Sequence, residues 1–285
     1  PPLFFFLPSP ARRDPLWSRG LGDVYKRQGE TADTLSASHL MKQNGYDQLS
    51  IVNTKNTELE RITSNSIYMR ANKEIGVAST KTFMSTLQIL FTLALHLAEN
   101  SNPKLINNKL LDDFKNLPTY MNNIFQNSKL IKQIAKKYSE YSNFLYLGRG
   151  YNYPIAMEGA LKLKELSYVH AEGYPAGEMK HGPISLIEDK MPVFAIITDG
   201  VYLNKMISNI REIGSRDGNI IVLTNCSDKL DKSWYSDLIN FDHTPDIFSP
   251  FLSTICIQLF SIYIAMERNL DVDQPRNLAK SVTVE

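Results

Sequence analysis

Three charged side chains in the stretch EGALKLKELSY, Glu158, Lys162 and Glu165, stand at i, i+4 and i+7. On an α-helix that spacing is one face. An ammonium three residues from a carboxylate can set that carboxylate up as a base able to move protons. The same spacing equally describes a wetted stripe, with Glu158 and Lys162 in the favourable order for an exposed ion pair. Position favours an inward site: the helix follows LGRG, the end of an apolar run, so its early turns should sit at the carboxyl end of a strand.

Four other stretches could do chemistry. In GETADT a glycine, Thr31 and a helix start could cradle an anion, although Thr31 or Asp33 could simply be an N-cap. In EIGVASTKTF, Ser79 and Thr80 open a long apolar helix, as caps or as ligands, and Gly76 would let a ligand approach the backbone closely. The loop AEGYPAGEMKHGP carries His181, an imidazole suited to proton transfer or an ordinary surface residue. In the tail DQPRNLAKSVTVE, Lys280 is either part of a loose terminus or an amine placed to form a Schiff base with a carbonyl.

The elements that must position these residues alternate. Apolar strands are expected at Leu49–Asn53, Ser66–Arg70, Asn143–Gly148, Pro192–Thr198, Asn219–Asn225 and Leu238–Phe241. Helices are expected at Asp33–Asn44, Thr57–Ser64, Ser79–Glu99, Leu105–Leu117, Thr119–Tyr141, from GRGYNYP onward, Tyr202–Ser215 and Pro250–Glu267, with Pro118 as punctuation between two of them. Strand–helix alternation with β-branched strands predicts an α/β fold of parallel sheets flanked by helices. Such sheets bind ligands beyond the carboxyl ends of their strands.

Composition narrows the classes. The 285 residues suggest two domains, and a net charge of +1 offers no global attraction for nucleic acid or an anionic membrane. Cys226 and Cys256 show no ligand spacing and read as buried, reduced thiols, which suits a cytoplasmic location. The charge-free stretches 82–98 and 247–266 are expected to be buried helices of a core or a subunit interface, and no membrane span is expected. Residues 1–28, Pro- and Arg-rich with a short apolar run, are expected to be a foreign leader outside the fold.

Taken in order from Gly29 to Glu285, GETADTL, EIGVASTKTF, LGRGYNYPIAMEGALKLKELSYVHAEGYPAGEMKHGPISLI and DQPRNLAKSVTVE closely resemble the isomerase part of glutamine–fructose-6-phosphate aminotransferase, also called glucosamine-6-phosphate synthase. The resemblance implies tandem sugar-isomerase (SIS) domains, each a three-layer parallel sheet flanked by helices. The expected boundaries are 29–126 for an incomplete first domain, 127–270 for the second and 271–285 for an active-site tail. It implies Glu165 as the residue that moves a proton between sugar C1 and C2, Lys162 as its support, Lys280 as the imine-forming amine and His181 as the ring-opening histidine offered to a neighbouring subunit. Thr31 matches a phosphate-binding hydroxyl, and Val77, Ser79 and Ala279 match positions lining the sugar site. The implied reaction makes glucosamine 6-phosphate from fructose 6-phosphate and glutamine-derived ammonia, in a homodimer, with no cofactor and no metal.

Three departures from the family pattern stand out. Lys26, Arg27 and Gln28 occupy the positions of the SQS in SQSGET, Asn72 and Lys73 replace a glycine and a small residue or proline, and none of these 285 residues is expected to belong to the family's glutaminase domain. The chain as given is therefore expected neither to hydrolyse glutamine nor to hold the sugar phosphate tightly. Other SIS isomerases or deglycases, and a non-catalytic SIS sugar-phosphate sensor, are the competing readings. The tail argues against the first, and Glu165, Lys162 and Lys280 together argue against the second.

Overall fold

The computed structural model describes residues 31–278. The stretch read as a leader, with Lys26, Arg27 and Gln28, and the tail residues Ala279 and Lys280 lie outside the described residues. The described chain forms two compact units, 31–100 with 273–278, and 101–272.

The second unit is built on five parallel strands, β3 (Asn143–Gly148), β4 (His170–Pro175), β5 (Val193–Ile197), β6 (Ile220–Thr224) and β7 (Asp237–Asn240), in the order β4-β3-β5-β6-β7. Every residue of β5 and β6 is buried, which is why both read as unbroken apolar runs rather than alternating ones. Successive side chains of β3 serve opposite faces. Leu145 and Leu147 join Ala195, Ile197, Val222 and helix α7 (Leu203–Gly214) through Met206, Ile210 and Ile213. On the other face Phe144 and Phe194 meet Phe260 of helix α8 (Ser249–Glu267) at 6.1 and 5.0 Å between ring centroids. Helix α6 (Asn152–Ser167) packs beside α8.

The stretch around α8 is long and apolar enough to cross a membrane by composition, yet 78% of its apolar window is buried inside the chain. It is a core helix, apolar because most of its surface is covered, with the stripe of Leu259, Ile262, Tyr263 and Met266 partly open. Cys226 and Cys256 are buried free thiols, and burial pushes the pKa of both up.

Two expectations about this unit change. The helices predicted to break at Pro118 are instead α4 (Asn108–Gln126), which runs through Pro118, and α5 (Lys129–Tyr138), with the break at Asn127–Ser128. Pro118 sits on the exposed side of α4, while Leu117 and Ile124 bury the opposite stripe and hold the helix across the missing N–H. The segment from Ala171, expected as a loop, begins as the edge strand β4. Its glycine and prolines hid the pattern. Gly173 is there because a Cβ would stand 2.7 Å from the Met157 Cα of α6.

The first unit holds helix α1 (Ala32–Gln43), strands β1 (Leu49–Val52) and β2 (Asn65–Tyr68) paired in parallel, and the short helix α2 (Glu58–Ile62). Its long helix α3 (Lys81–Ser101), expected to be buried in a core or a subunit interface, is not a core helix of this chain: Thr82 is its sole buried residue, and Leu90 and Leu97 are exposed. Two strands offer too little apolar surface to cover a helix of 21 residues.

Candidate active site

Helix α6 reaches its place through small residues. A Cβ on Gly159 would stand 2.7 Å from the Tyr146 ring, so glycine there lets the helix lie tightly against β3. Almost every face of α6 is therefore covered, and its charged stripe is covered too. Lys162 keeps 2% of its side-chain surface, Glu158 9% and Glu165 12%. The Lys162 ammonium donates to the Glu165 carboxylate and lies 3.4 Å from Glu158 Oε1, an ion-pair distance without hydrogen-bond alignment. The stripe points inward, whereas Lys164, off the stripe, is exposed.

The location differs from the one argued from position. Glu165 lies in the last turn of α6, about 20 Å from the start of the helix at 1.5 Å per residue, so it is remote from the carboxyl end of β3. At that end the second unit has a different polar group. The buried Asn152 amide donates to Thr198 Oγ1 (2.9 Å) and Ser249 Oγ (3.0 Å), and the Thr198 hydroxyl donates to Asp246 (2.7 Å). Nearby, Asp199 accepts from Lys229 at 2.7 Å and faces His243 Nε2 at 3.0 Å. Lys229 first and His243 second hold the Asp199 carboxyl below its ordinary pKa.

The end of α6 that carries Glu165 is fixed by Arg268. Its guanidinium donates to the carbonyls of Ser139 (2.7 Å), Tyr141 (2.8 Å) and Ser167 (3.2 Å), and the last of these is an open carbonyl at the helix C-terminus. Arg268 was not singled out in the sequence, and its partners lie more than a hundred residues away.

His181 stands exposed at the end of a 3-10 stretch, Ala176–His181. Arg149 of the GRG turn supports that stretch, with its guanidinium against Gly177, over the Tyr202 ring at 5.8 Å and donating to Asn209 at 3.2 Å.

In the first unit, Thr31 occupies the N-cap position of α1, exposed and without a side-chain cap bond, and its carbonyl accepts from Leu35 N–H. Val77 is buried, and its N–H donates to the Asp273 carbonyl at 2.9 Å. The Ser79 hydroxyl pairs with that of Thr82 at 2.6 Å. Ser79 does not cap α3. That place is taken by Glu74, which accepts from the N–H groups of Thr80 and Thr82. No standard capping spacing links Glu74 to this helix start, so the sequence carried no signal for it.

A cleft of about 200 Å³ in the second unit, lined by Asn123, Asn127, Ile239, Asp242 and Cys256 among others, is lined by neither Lys162 nor Glu165, so this cleft and the charged stripe are different places. Among the described residues no group of three His, Cys, Asp or Glu side chains could hold a metal ion.

The sequence profile of the SIS domain matches residues 24–96 and 137–267. This chain belongs to the SIS domain family. The first match begins inside the stretch read as a leader. Among its SIS relatives, the chain is 42% identical over 268 residues to the glutamine–fructose-6-phosphate aminotransferase of Thermotoga maritima, covering 93% of this chain and 44% of that protein. It is 44% identical over 263 residues to the enzyme of the same name from Chlorobaculum tepidum, covering 92% and 43%. The chain thus spans less than half the length of these curated relatives. The solved C-terminal domain of glucosamine-fructose-6-phosphate aminotransferase from Francisella tularensis superposes with a TM-score of 0.83 at 36% identity, covering 87% of this chain and 71% of that one. The α/β fold and the family resemblance expected from the motifs both hold.

Proposed function

We propose that this chain carries the isomerase chemistry of glucosamine 6-phosphate synthesis. The observation that carries the reading is the burial of Lys162 between Glu158 and Glu165. Burying an ammonium with two carboxylates is costly, and such clusters concentrate at functional sites. In this reading the Lys280 amine adds to the C2 carbonyl of open-chain fructose 6-phosphate, water leaves, and an imine forms. Ammonia displaces Lys280 to leave a C2 imine. Glu165 takes a proton from C1, acidified by that imine, and delivers it to C2, giving a 2-amino aldose. Lys162 orients Glu165 through their ion pair. His181 assists ring opening in a neighbouring subunit, Thr31 meets the phosphate, and Val77, Ser79 and Ala279 line the sugar site. The ammonia comes from a glutaminase domain of the longer protein, and the assembly is a cytoplasmic homodimer.

The test is proton exchange. With saturating fructose 6-phosphate and ammonium in deuterated water, the C1 proton should wash out by NMR. Glu165→Gln should stop the washout while borohydride still traps a hexose-phosphate adduct on Lys280. Undiminished washout in Glu165→Gln would remove Glu165 from the mechanism.

A further inference from the structure

The carboxylate of Glu74 is 5% exposed and gathers four donors: Thr80 N–H at 2.7 Å, the Thr80 hydroxyl at 3.2 Å, Thr82 N–H at 3.5 Å and the Thr82 hydroxyl. Burial alone would push its pKa up, but the bonds from Thr82 and Thr80 outweigh burial and hold it below the ordinary value. Capping a helix needs one or two such bonds. Four of them close residues 74–82 into a loop, in which Val77 and Ala78 are buried and Lys81 Nζ donates to the Lys73 carbonyl at 2.7 Å.

The same loop carries a second attachment. Val77 N–H donates to the Asp273 carbonyl at 2.9 Å, and a Cβ on Gly76 would stand 3.1 Å from Asp273 Oδ1. Segment 273–278, which leads on to Lys280, therefore starts from a backbone pinned to the loop that presents Val77 and Ser79. We propose that Glu74 is a positioning residue that holds the 74–82 loop in the shape that both presents Val77 and Ser79 and anchors the C-terminal segment through Asp273. This rests on the proposed function for its consequence, and on geometry alone for the coupling.

Hydrogen–deuterium exchange of the full chain without ligand tests the coupling. Glu74→Gln keeps the shape and loses the charge, and a lost bond to a charged group corresponds to about 10- to 100-fold faster opening. Exchange should rise together in 75–82 and in 273–278 and stay unchanged in the later turns of α3, with Glu74→Asp falling between. A rise confined to 75–82, or one spread equally along α3, would reduce Glu74 to a helix cap and overturn the proposal. Should Glu74→Gln unfold the unit, Gly76→Ala decides. It presses on Asp273 without touching the Glu74 bonds, so 273–278 should exchange faster while 80–82 stay protected, and an unchanged 273–278 overturns the coupling. Borohydride trapping with fructose 6-phosphate separates the two readings. No adduct on Lys280 in the unaltered chain at saturating fructose 6-phosphate counts against the proposed function and leaves the exchange result standing. An adduct whose yield falls about tenfold in Glu74→Gln ties the loop to the chemistry.

Discussion

The ammonium of Lys162 lies against the carboxylate of Glu165 one turn further along α6, where Lys162 keeps 2% of its surface. With Glu158 on the preceding turn, the cluster buries two carboxylates for one cation.

Removing the cation should therefore be severe. Lys162→Met removes the cation that Glu158 and Glu165 share, and breaking a buried pair costs about 3–5 kcal/mol. Urea unfolding should report a loss of that order. The double variant Lys162→Met, Glu158→Gln should recover part of it, a coupling that two independent residues would not show.

Alkaline stability depends on Tyr138. Its hydroxyl donates to Asp237 Oδ2 at 2.7 Å and stands 2.6 Å from Asn219 Oδ1, and burial first, then the Asp237 bond, push its pKa up. A phenol whose folded pKa is raised contributes stability that is fully present below the unfolded value, about 10, and is lost as pH rises beyond it. The unfolding midpoint should fall steeply above about pH 10. Tyr138→Phe should be less stable at neutral pH and should fall less steeply in that range.

The acid side depends on Glu74. Its folded pKa is held below the ordinary 4.5, so its contribution is present above that value and is lost as pH falls through the folded pKa. Exchange in 75–82 should therefore quicken below about pH 4.5, after correction for the intrinsic rate, and Glu74→Gln should flatten that response.

Pro118 is a removable cost. It interrupts the hydrogen-bond ladder of α4 at an exposed position, and interior proline is unfavourable by about 3 kcal/mol relative to alanine. Pro118→Ala should raise stability by about 1–3 kcal/mol in denaturant unfolding. A loss of stability would mean that a kink at Pro118 is needed for Leu117 and Ile124 to reach the core.

The sequence by itself determined the α/β class, because β5 and β6 are apolar runs that only a sheet covered on both faces can use. It also determined which charges share a face of α6, since helical spacing is local geometry. Only the tertiary structure decided that the face is buried: Glu158, Lys162 and Glu165 read the same on a wet helix, and what covers them comes from chain elsewhere. The same holds for Glu74, whose capping role has no local spacing, for Arg268, whose acceptors are distant in sequence, and for β4, whose glycine makes sense only against Met157. Spacing tells which side chains point the same way. Burial and hydrogen-bond partners depend on segments brought together by folding, and no local pattern encodes them.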